Sequence, residues 1–182
     1  MEFLTSSEAE RYCSKRLQQD ICEEELKEII KITKIHNIQW VEAEANMRLG
    51  DKYFYKYNYT EVVKCYFKVV DYYEKFSKNE KISLLYNLIG ACKYAELMYE
   101  EALVYFDKAN IYALKGKQAL LNLYEGTSNT NQIEELFISI IELLKDKNPQ
   151  ELKKTYLEIA EFYIKQGKLD KANKYMDLSH NI

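Results

Sequence analysis

Residues 84–110 have the sequence LLYNLIGACKYAELMYEEALVYFDKAN, which predicts two helices joined by a short turn. The first predicted helix contains Gly90, and the second opens nine residues later at Tyr99 and continues through Ala102 and Phe106. Glycine inside a helix costs about 1 kcal/mol relative to alanine. That cost is explained if the missing side chain lets a second, antiparallel helix approach closely while Phe106 fills the adjacent space. The stretch therefore predicts a helical hairpin.

The same pattern occurs in two other segments, residues 44–70 and 154–180. Each segment has a small residue in its first helix, an aromatic or apolar residue that opens the second, and a large residue seven positions further on. In chain order these are Gly50, Tyr59 and Tyr66; Gly90, Tyr99 and Phe106; and Ala160, Leu169 and Met176. Self-similarity of this kind is typical of proteins built from stacked repeats. It predicts three hairpins of one design.

The remaining segments fit the design less closely. Residues 117–147 read as a degenerate repeat, with a short first helix around Leu120, Leu123 and Tyr124 that stops at Gly126, then a second helix over 133–145. Asn148 and Pro149 have the residue types of an N-cap and a first helical position. Residues 7–19 and 22–36 form one more helix pair, and we expect turns at Gly116, Gly126 and Gly167.

These segments predict an all-α fold, a right-handed superhelical solenoid of antiparallel helix pairs with about ten helices. We expect a single domain over residues 1–182. It divides into an N-terminal helix pair and four repeats, over residues 7–40, 41–80, 81–116, 117–147 and 148–182.

Composition and charge exclude several other classes. One Pro and five Gly in 182 residues are too few for the frequent turns of an all-β fold. No apolar run approaches the roughly 20 residues of a membrane span. The chain has 26 basic and 29 acidic residues, and no segment is basic enough to bind nucleic acid through its phosphates. We therefore expect no membrane association, no direct nucleic-acid binding and a cytoplasmic location.

The sequence contains no pattern typical of an active site or a bound cofactor. The four cysteines have no CxxC spacing and only two histidines are present, which argues against a metal site. Free thiols, mostly buried, are the expectation. Phosphate-binding glycine loops, HExxH and GxSxG are absent. The chain is thus predicted to be neither an enzyme nor a cofactor protein.

The matched positions resemble the tetratricopeptide repeat (TPR), a helix–turn–helix unit of about 34 residues. The run YEEALVYF at residues 99–106 is close to the consensus of that family. Two departures stand out. The interval from Gly50 to Gly90 is longer than one such unit, which implies longer helices or a wider loop near positions 76–80. The turn glycine appears only as Gly167, with Asn58 and Leu97 in its place elsewhere.

The resemblance implies a concave groove, lined by the first helix of each pair, that binds a peptide or protein segment. The repeat positions that face this groove in the family correspond here to Met47, Asp51, Phe54, Tyr55, Asn87, Tyr94 and Glu161. Asn87 is the most informative, because its amide both donates and accepts hydrogen bonds and so suits the backbone of an extended peptide. A solvated helix residue is the alternative interpretation of Asn87, and most tyrosines are expected to pack between helices.

The repeats are rich in Lys, Asn, Ile and Tyr, above all over residues 49–75 (LGDKYFYKYNYTEVVKCYFKVVDYYEK). They also resemble the TPR portion of bacterial helix-turn-helix regulators, including the RRNPP group of quorum-sensing regulators. That resemblance implies a sensor domain in which a short signalling peptide shifts the repeats and so alters transcription. A free-standing TPR scaffold that mediates protein–protein assembly is the alternative. Because Tyr175 and Met176 would leave an apolar edge at the last helix, either a longer chain or a homodimer through this terminal repeat is expected to cover it.

Overall fold

The computed structural model describes residues 5–124 and 130–182, and the regular structure in these ranges consists of nine α-helices. The all-helical prediction is confirmed. In chain order the helices are α1 Ser6–Leu17, α2 Glu23–Ile35, α3 Gln39–Tyr55, α4 Tyr59–Glu74, α5 Asn79–Ala95, α6 Tyr99–Tyr124, α7 Thr130–Leu144, α8 Pro149–Lys165 and α9 Leu169–His180.

The helices belong to two compact units, Met1–Ala113 and Leu114–Ile182. In the first unit one continuous apolar core runs from Ala9 in α1 to Ala109 in α6. In the second, a separate core joins α7, α8 and α9 around Ile140, Ile159 and Tyr163. The single domain that the sequence suggests stays a prediction.

Five of the nine described helices end in the same kind of turn, a Schellman motif. After each helix one residue has a positive φ, and the amide of the next residue donates to the carbonyl five positions back at 2.8 to 3.1 Å. The positive-φ residues are Asn37 (54°), Tyr57 (57°), Ser77 (50°), Leu97 (63°) and Gly167 (71°). The first four occupy positions 37, 57, 77 and 97, so the turns that follow α2, α3, α4 and α5 recur at equal intervals.

This regular spacing explains the long repeat. Helices α3 and α5 each contain 17 residues, and the turns after them have the same hydrogen bonds as the turn at Ser77. The long interval from Gly50 to Gly90 therefore reflects longer helices rather than a wider loop near position 77.

The position of the turn residue after α3 is a correction to the sequence analysis. The prediction placed the equivalent of the turn glycine at Asn58, which is wrong by one residue. Tyr57 has the left-handed conformation, while Asn58 is the N-cap of α4 and accepts from the Glu61 amide. The Schellman hydrogen bonds thus determine which residue takes the positive φ.

The predicted close approach at the helix glycines is confirmed. A Cβ atom built on Gly50 would lie 2.5 Å from Cε1 of Tyr66, and one on Gly90 would lie 2.7 Å from Cε1 of Phe106. Each aromatic ring thus occupies the space that a side chain on the preceding helix would need. This contact joins α3 to α4 and α5 to α6.

The predicted turn at Gly116 is wrong. Helix α6 continues through this buried glycine to Tyr124, so Leu120, Leu123 and Tyr124 extend α6 instead of forming a separate short helix. Good helix formers flank Gly116, and one interior glycine costs too little to end such a helix. This continuity accounts for nine described helices where about ten were predicted. The turn predicted at Gly126 lies outside the described residues.

The predicted start of α8 is confirmed, and α1 also begins with a side-chain cap. Thr5 caps α1 and forms a capping box with Glu8. Asn148 caps α8 by accepting from the Glu151 amide, with Pro149 in the first turn, where its missing amide proton costs nothing. None of the described helices is long and apolar enough to cross a membrane.

Candidate functional site

The predicted binding residues of α5 lie on one exposed face of that helix. Leu84, Asn87, Ala91 and Tyr94 follow one another at helical spacing, and all four are exposed. We call these four residues the α5 face. Leu84 retains 57% and Tyr94 60% of its accessible surface, although both side chains are large and apolar in character. The face therefore offers one large apolar side chain on each side of the Asn87 amide.

The predicted residues of α3 are less uniform. Tyr55 is 82% exposed, and Phe54 is partly exposed with its ring edge-on to Tyr55 and Tyr59 at centroid distances of 6.5 and 5.9 Å. Met47 is half-buried and packs against the core of the first unit. Phe54 and Tyr55 are thus available to a ligand, whereas Met47 contributes mainly to packing.

Asp51 is exposed, but its carboxylate already has a structural role. Its Oδ1 accepts a 2.7 Å hydrogen bond from the hydroxyl of Tyr66, whose side chain is buried. Burial, and then this bond to a carboxylate, raise the pKa of Tyr66 above its ordinary value, because both disfavour the phenolate. Asp51 therefore orients an aromatic ring of the core.

Helix α4 follows α3 and precedes α5 along the chain. It packs against both α3 and α5, and no Cα atom of α3 lies within 8 Å of a Cα atom of α5. The ring of Tyr94, near the C-terminal end of α5, packs edge-on against the ring of Tyr99 at the start of α6, with the ring centroids 5.2 Å apart. The exposed residues of α3 and α5 therefore lie on two helices whose backbones are not in direct contact.

Glu161, the remaining predicted residue, belongs to the second unit. It lines a cleft of about 340 Å³ between the start of α7 and the end of α8. The other lining residues are Thr130, Ile133, Glu158, Phe162, Lys165 and Gln166. Glu161 thus has its own polar surroundings within this unit.

The residues of the predicted terminal edge also lie in the second unit. Tyr175 is half-buried and stacks on Tyr163 at 5.8 Å, and Met176 is partly exposed. Part of the expected apolar edge is therefore covered from within the chain. The homodimer through this repeat stays a prediction.

Three of the four thiols are buried. Cys13, Cys65 and Cys92 are buried and Cys22 is exposed, so the expectation of free, mostly buried thiols is confirmed. Burial raises the pKa of all three buried thiols, to about 11 for Cys92. Over residues 5–124 and 130–182, no cluster of His, Cys, Asp and Glu side chains could hold a metal ion.

One buried polar residue was not among the predicted site residues. Asn46 is fully buried in α3, its Nδ2 donates to the carbonyl of Glu42 at 2.8 Å, and its Oδ1 has no hydrogen-bond partner among the described residues. Lack of a partner is unusual for a buried side-chain oxygen. The sequence signal is a break in the repeat, since residues 86 and 156, at the matched positions, are tyrosines.

Comparison with known proteins identifies no family for this chain. No family model matches it, and no curated protein matches it in sequence. Among solved structures, it is similar to RapI in its apo form, with 22% identity and a TM-score of 0.46 over 97% of this chain and 62% of RapI. It is also similar to BtubC (BKLC) from P. vanneervenii, with 12% identity and a TM-score of 0.38 over 97% of this chain and 86% of BtubC. The chain thus spans less than two thirds of the length of RapI.

Proposed function

We propose that this chain is a non-catalytic binding domain whose first unit holds an extended peptide, or a segment of a protein, against α5 and the exposed end of α3. The α5 face carries this proposal. Leu84 and Tyr94 expose apolar surface that folding leaves uncovered, and Asn87 lies between them on the same face. An apolar surface with a central amide favours a ligand that has both side chains and a peptide backbone.

The chemistry of these residues defines the ligand. An asparagine amide can accept from a peptide N–H and donate to a peptide carbonyl, irrespective of the ligand's side chains. Tyr55 and Tyr94 offer aromatic walls, which bind apolar or aromatic side chains at low entropic cost. We therefore expect a short peptide rich in hydrophobic residues.

The biological role that we propose is that of a sensor. The resemblance of the repeats, above all residues 49–75, to the TPR portion of bacterial peptide-responsive regulators supports this role. Under this proposal, peptide binding alters how the repeats act on a DNA-binding or enzyme-inhibiting module. The existence of that module is itself part of the proposal.

Peptide binding can be tested with a matched pair of asparagine variants. A pool of hydrophobic peptides is screened for members that raise the melting temperature, and the best member is titrated by calorimetry. Asn87→Ala is expected to weaken binding about fivefold or more, because it removes hydrogen bonds worth about 1 kcal/mol each. Asn173→Ala changes an exposed helical asparagine of α9 and is the control. Equal affinity of the two variants, with unchanged helix content, would contradict the assignment of the α5 face.

A specific observation favours protein assembly as a second function. Val63 of α4 is 9% exposed, but Leu103, at the matched position of α6, is 64% exposed. Leu103 and Val104 together present apolar surface on α6, and Ile111 adds to it two turns later. Such surface is typical of a contact with a folded partner. A scaffold predicts that no peptide in the pool stabilises the chain and that Leu103→Glu abolishes co-elution with its partner, while Asn87→Ala leaves co-elution intact.

A further inference from the structure

A polar cleft of about 250 Å³ opens between the start of α3 and the end of α4. Its lining residues are Asn37, Gln39, Glu42, Ala43, Asn46, Lys68, Asp71, Tyr72 and Lys75. None of them is a predicted groove residue or a member of the α5 face. Asn46, the fully buried residue with an unpartnered Oδ1, is part of this lining. The cleft thus combines open space with a buried acceptor that lacks a donor.

The next hairpin of the same chain shows what fills this space. At its matched positions, Lys108 and Tyr112 repeat the types of Lys68 and Tyr72, but Tyr86 replaces Asn46. The Tyr86 ring is buried and stacks on Tyr112, with a centroid distance of 5.5 Å and an interplanar angle of 26°. The ammonium group of Lys108 lies 5.6 Å from the centre of the same ring. The α5–α6 hairpin therefore fills this position with a phenol from its own chain.

The α8–α9 hairpin also has a tyrosine at this position. Tyr156 occupies the position of Tyr86 and packs against Tyr175 at 6.0 Å, just as Tyr86 stacks on Tyr105 at 6.3 Å. In the α3–α4 hairpin these two positions hold Asn46 and Cys65, which are both buried and both much smaller. Two hairpins thus contain an aromatic pair that the third lacks.

We propose that the cleft is a binding site for an aromatic side chain that carries a hydrogen-bond donor, namely a tyrosine of a partner polypeptide. Its ring lies beside Tyr72 and Lys68, as the Tyr86 ring lies beside Tyr112 and Lys108. Its hydroxyl group donates to Asn46 Oδ1, which is buried in the unbound chain and turns towards the cleft when the ligand binds. An apolar cavity of about 150 Å³ is large enough for benzene, so the cleft has room for a phenol. Stacking on Tyr72 and a cation–π contact with Lys68 are the expected attractions.

The first experiment uses the full chain and p-cresol, the side-chain analogue of tyrosine, followed by amide chemical shifts. Saturable shifts centred on Lys68 and Tyr72 are expected, with toluene binding about fivefold more weakly because it lacks the hydroxyl donor. Asn46→Tyr supplies the missing ring from the chain itself, so it is expected to abolish p-cresol binding and to raise the melting temperature. Absence of saturable shifts in the wild-type chain would overturn the proposal, and so would equal binding to a folded Asn46→Tyr variant.

A second variant keeps the test decisive if Asn46→Tyr fails to fold. Asn46→Ala leaves the cleft open but removes the acceptor, so p-cresol is expected to bind it no better than toluene does. An unchanged p-cresol affinity in this variant would remove Asn46 from the site and overturn the proposed geometry. Asn173→Ala, which changes an exposed asparagine of α9, is the matched control and should bind p-cresol as the wild type does. Because Asn87 is the residue that tests peptide binding by the α5 face, the two proposals can fail separately.

Discussion

The hydroxyl group of Tyr66 donates a 2.7 Å hydrogen bond to Oδ1 of Asp51. This bond fixes the Tyr66 ring, which lies against the backbone of Gly50. The donor is in α4, whereas the acceptor and the glycine are adjacent residues of α3. The ring is buried on all sides and retains 2% of its accessible surface. Phe106, its counterpart beside Gly90, has no hydroxyl group and is only half-buried. Both hairpins thus have the same contact between a ring and a glycine, but the Tyr66 ring is held in place whereas the Phe106 ring has room to move.

Gly50→Ala is therefore expected to destabilise the chain more than Gly90→Ala. Alanine gains about 1 kcal/mol as a better helix former. At Gly50, overpacking against the fixed Tyr66 ring costs about 1–3 kcal/mol and outweighs that gain. At Gly90 the Phe106 ring can turn towards solvent, so the two effects nearly cancel. Urea denaturation of both variants measures the difference, and a larger loss at Gly90 would contradict the fixed-ring argument.

Tyr66→Phe is expected to lower stability at neutral pH by about 1 kcal/mol, since one hydrogen bond to Asp51 is lost while the ring remains. The pH dependence has a definite sign. The pKa of Tyr66 is raised in the folded chain, so its contribution is complete below about pH 10, near the ordinary tyrosine pKa, and is lost as pH rises above that value.

Unfolding of the wild type and of Tyr66→Phe can be compared from pH 8 to pH 11. The gap between the two curves should be constant up to about pH 10 and then close, because only the wild-type ring ionises when the chain unfolds. Tyr55→Phe, which removes the hydroxyl of an exposed ring, is the control and should follow the wild type. A gap that widens above pH 10 would show that the hydroxyl is not held in its neutral form.

The turn at Leu97 is expected to be improved by glycine. Leu97 has φ 63° and an exposed side chain, so its left-handed conformation costs about 1 kcal/mol and little packing is lost on substitution. Leu97→Gly should therefore raise stability by up to about 1 kcal/mol, less the entropy that glycine adds to the unfolded chain. Gly167→Ala reverses the change at the equivalent turn and should lower stability by a similar amount. Thermal melts of both variants check this, and a loss in Leu97→Gly would mean that the side chain contributes to packing.

One thiol is expected to react in the native chain. Cys22 is exposed, whereas the other three cysteines are buried with raised pKa values, which disfavour the reactive thiolate. Titration with a disulfide reagent at pH 8 should modify a single group rapidly, and none in Cys22→Ser. Reaction of all four should require denaturant. Fast modification of a second native thiol would indicate local opening around it.

The hairpins could be predicted from the sequence because their signals are local. A glycine in one helix and a large ring seven residues into the next lie within one repeat, so Gly50 and Tyr66 identify each other without knowledge of the rest of the chain. The exposure of Leu84, Asn87 and Tyr94 is likewise a property of a single helix face. These features needed only helical periodicity and chain continuity.

Other features depend on balances that residue types do not reveal. Gly116 could end a helix or lie inside one, and the helix formers around it favoured the second. Tyr57 has a left-handed conformation that its side chain disfavours, because the Schellman hydrogen bonds fix the turn there. The cleft at Asn46 depends on packing in three dimensions, because in the α5–α6 hairpin the equivalent position is filled by Tyr86, which stacks on Tyr112.

The turns at positions 37, 57, 77 and 97 also constrain how this chain can change in length. One residue added inside α4 would rotate every later side chain of that helix by about 100° relative to its partners, and would turn buried positions outward. Two added residues would not restore the register either. Insertion of a whole hairpin, which spans two successive turn-to-turn intervals, leaves each contact in place. After such an insertion the chain reaches an equivalent turn in the same orientation. We therefore expect insertions and deletions in related chains to come in such blocks.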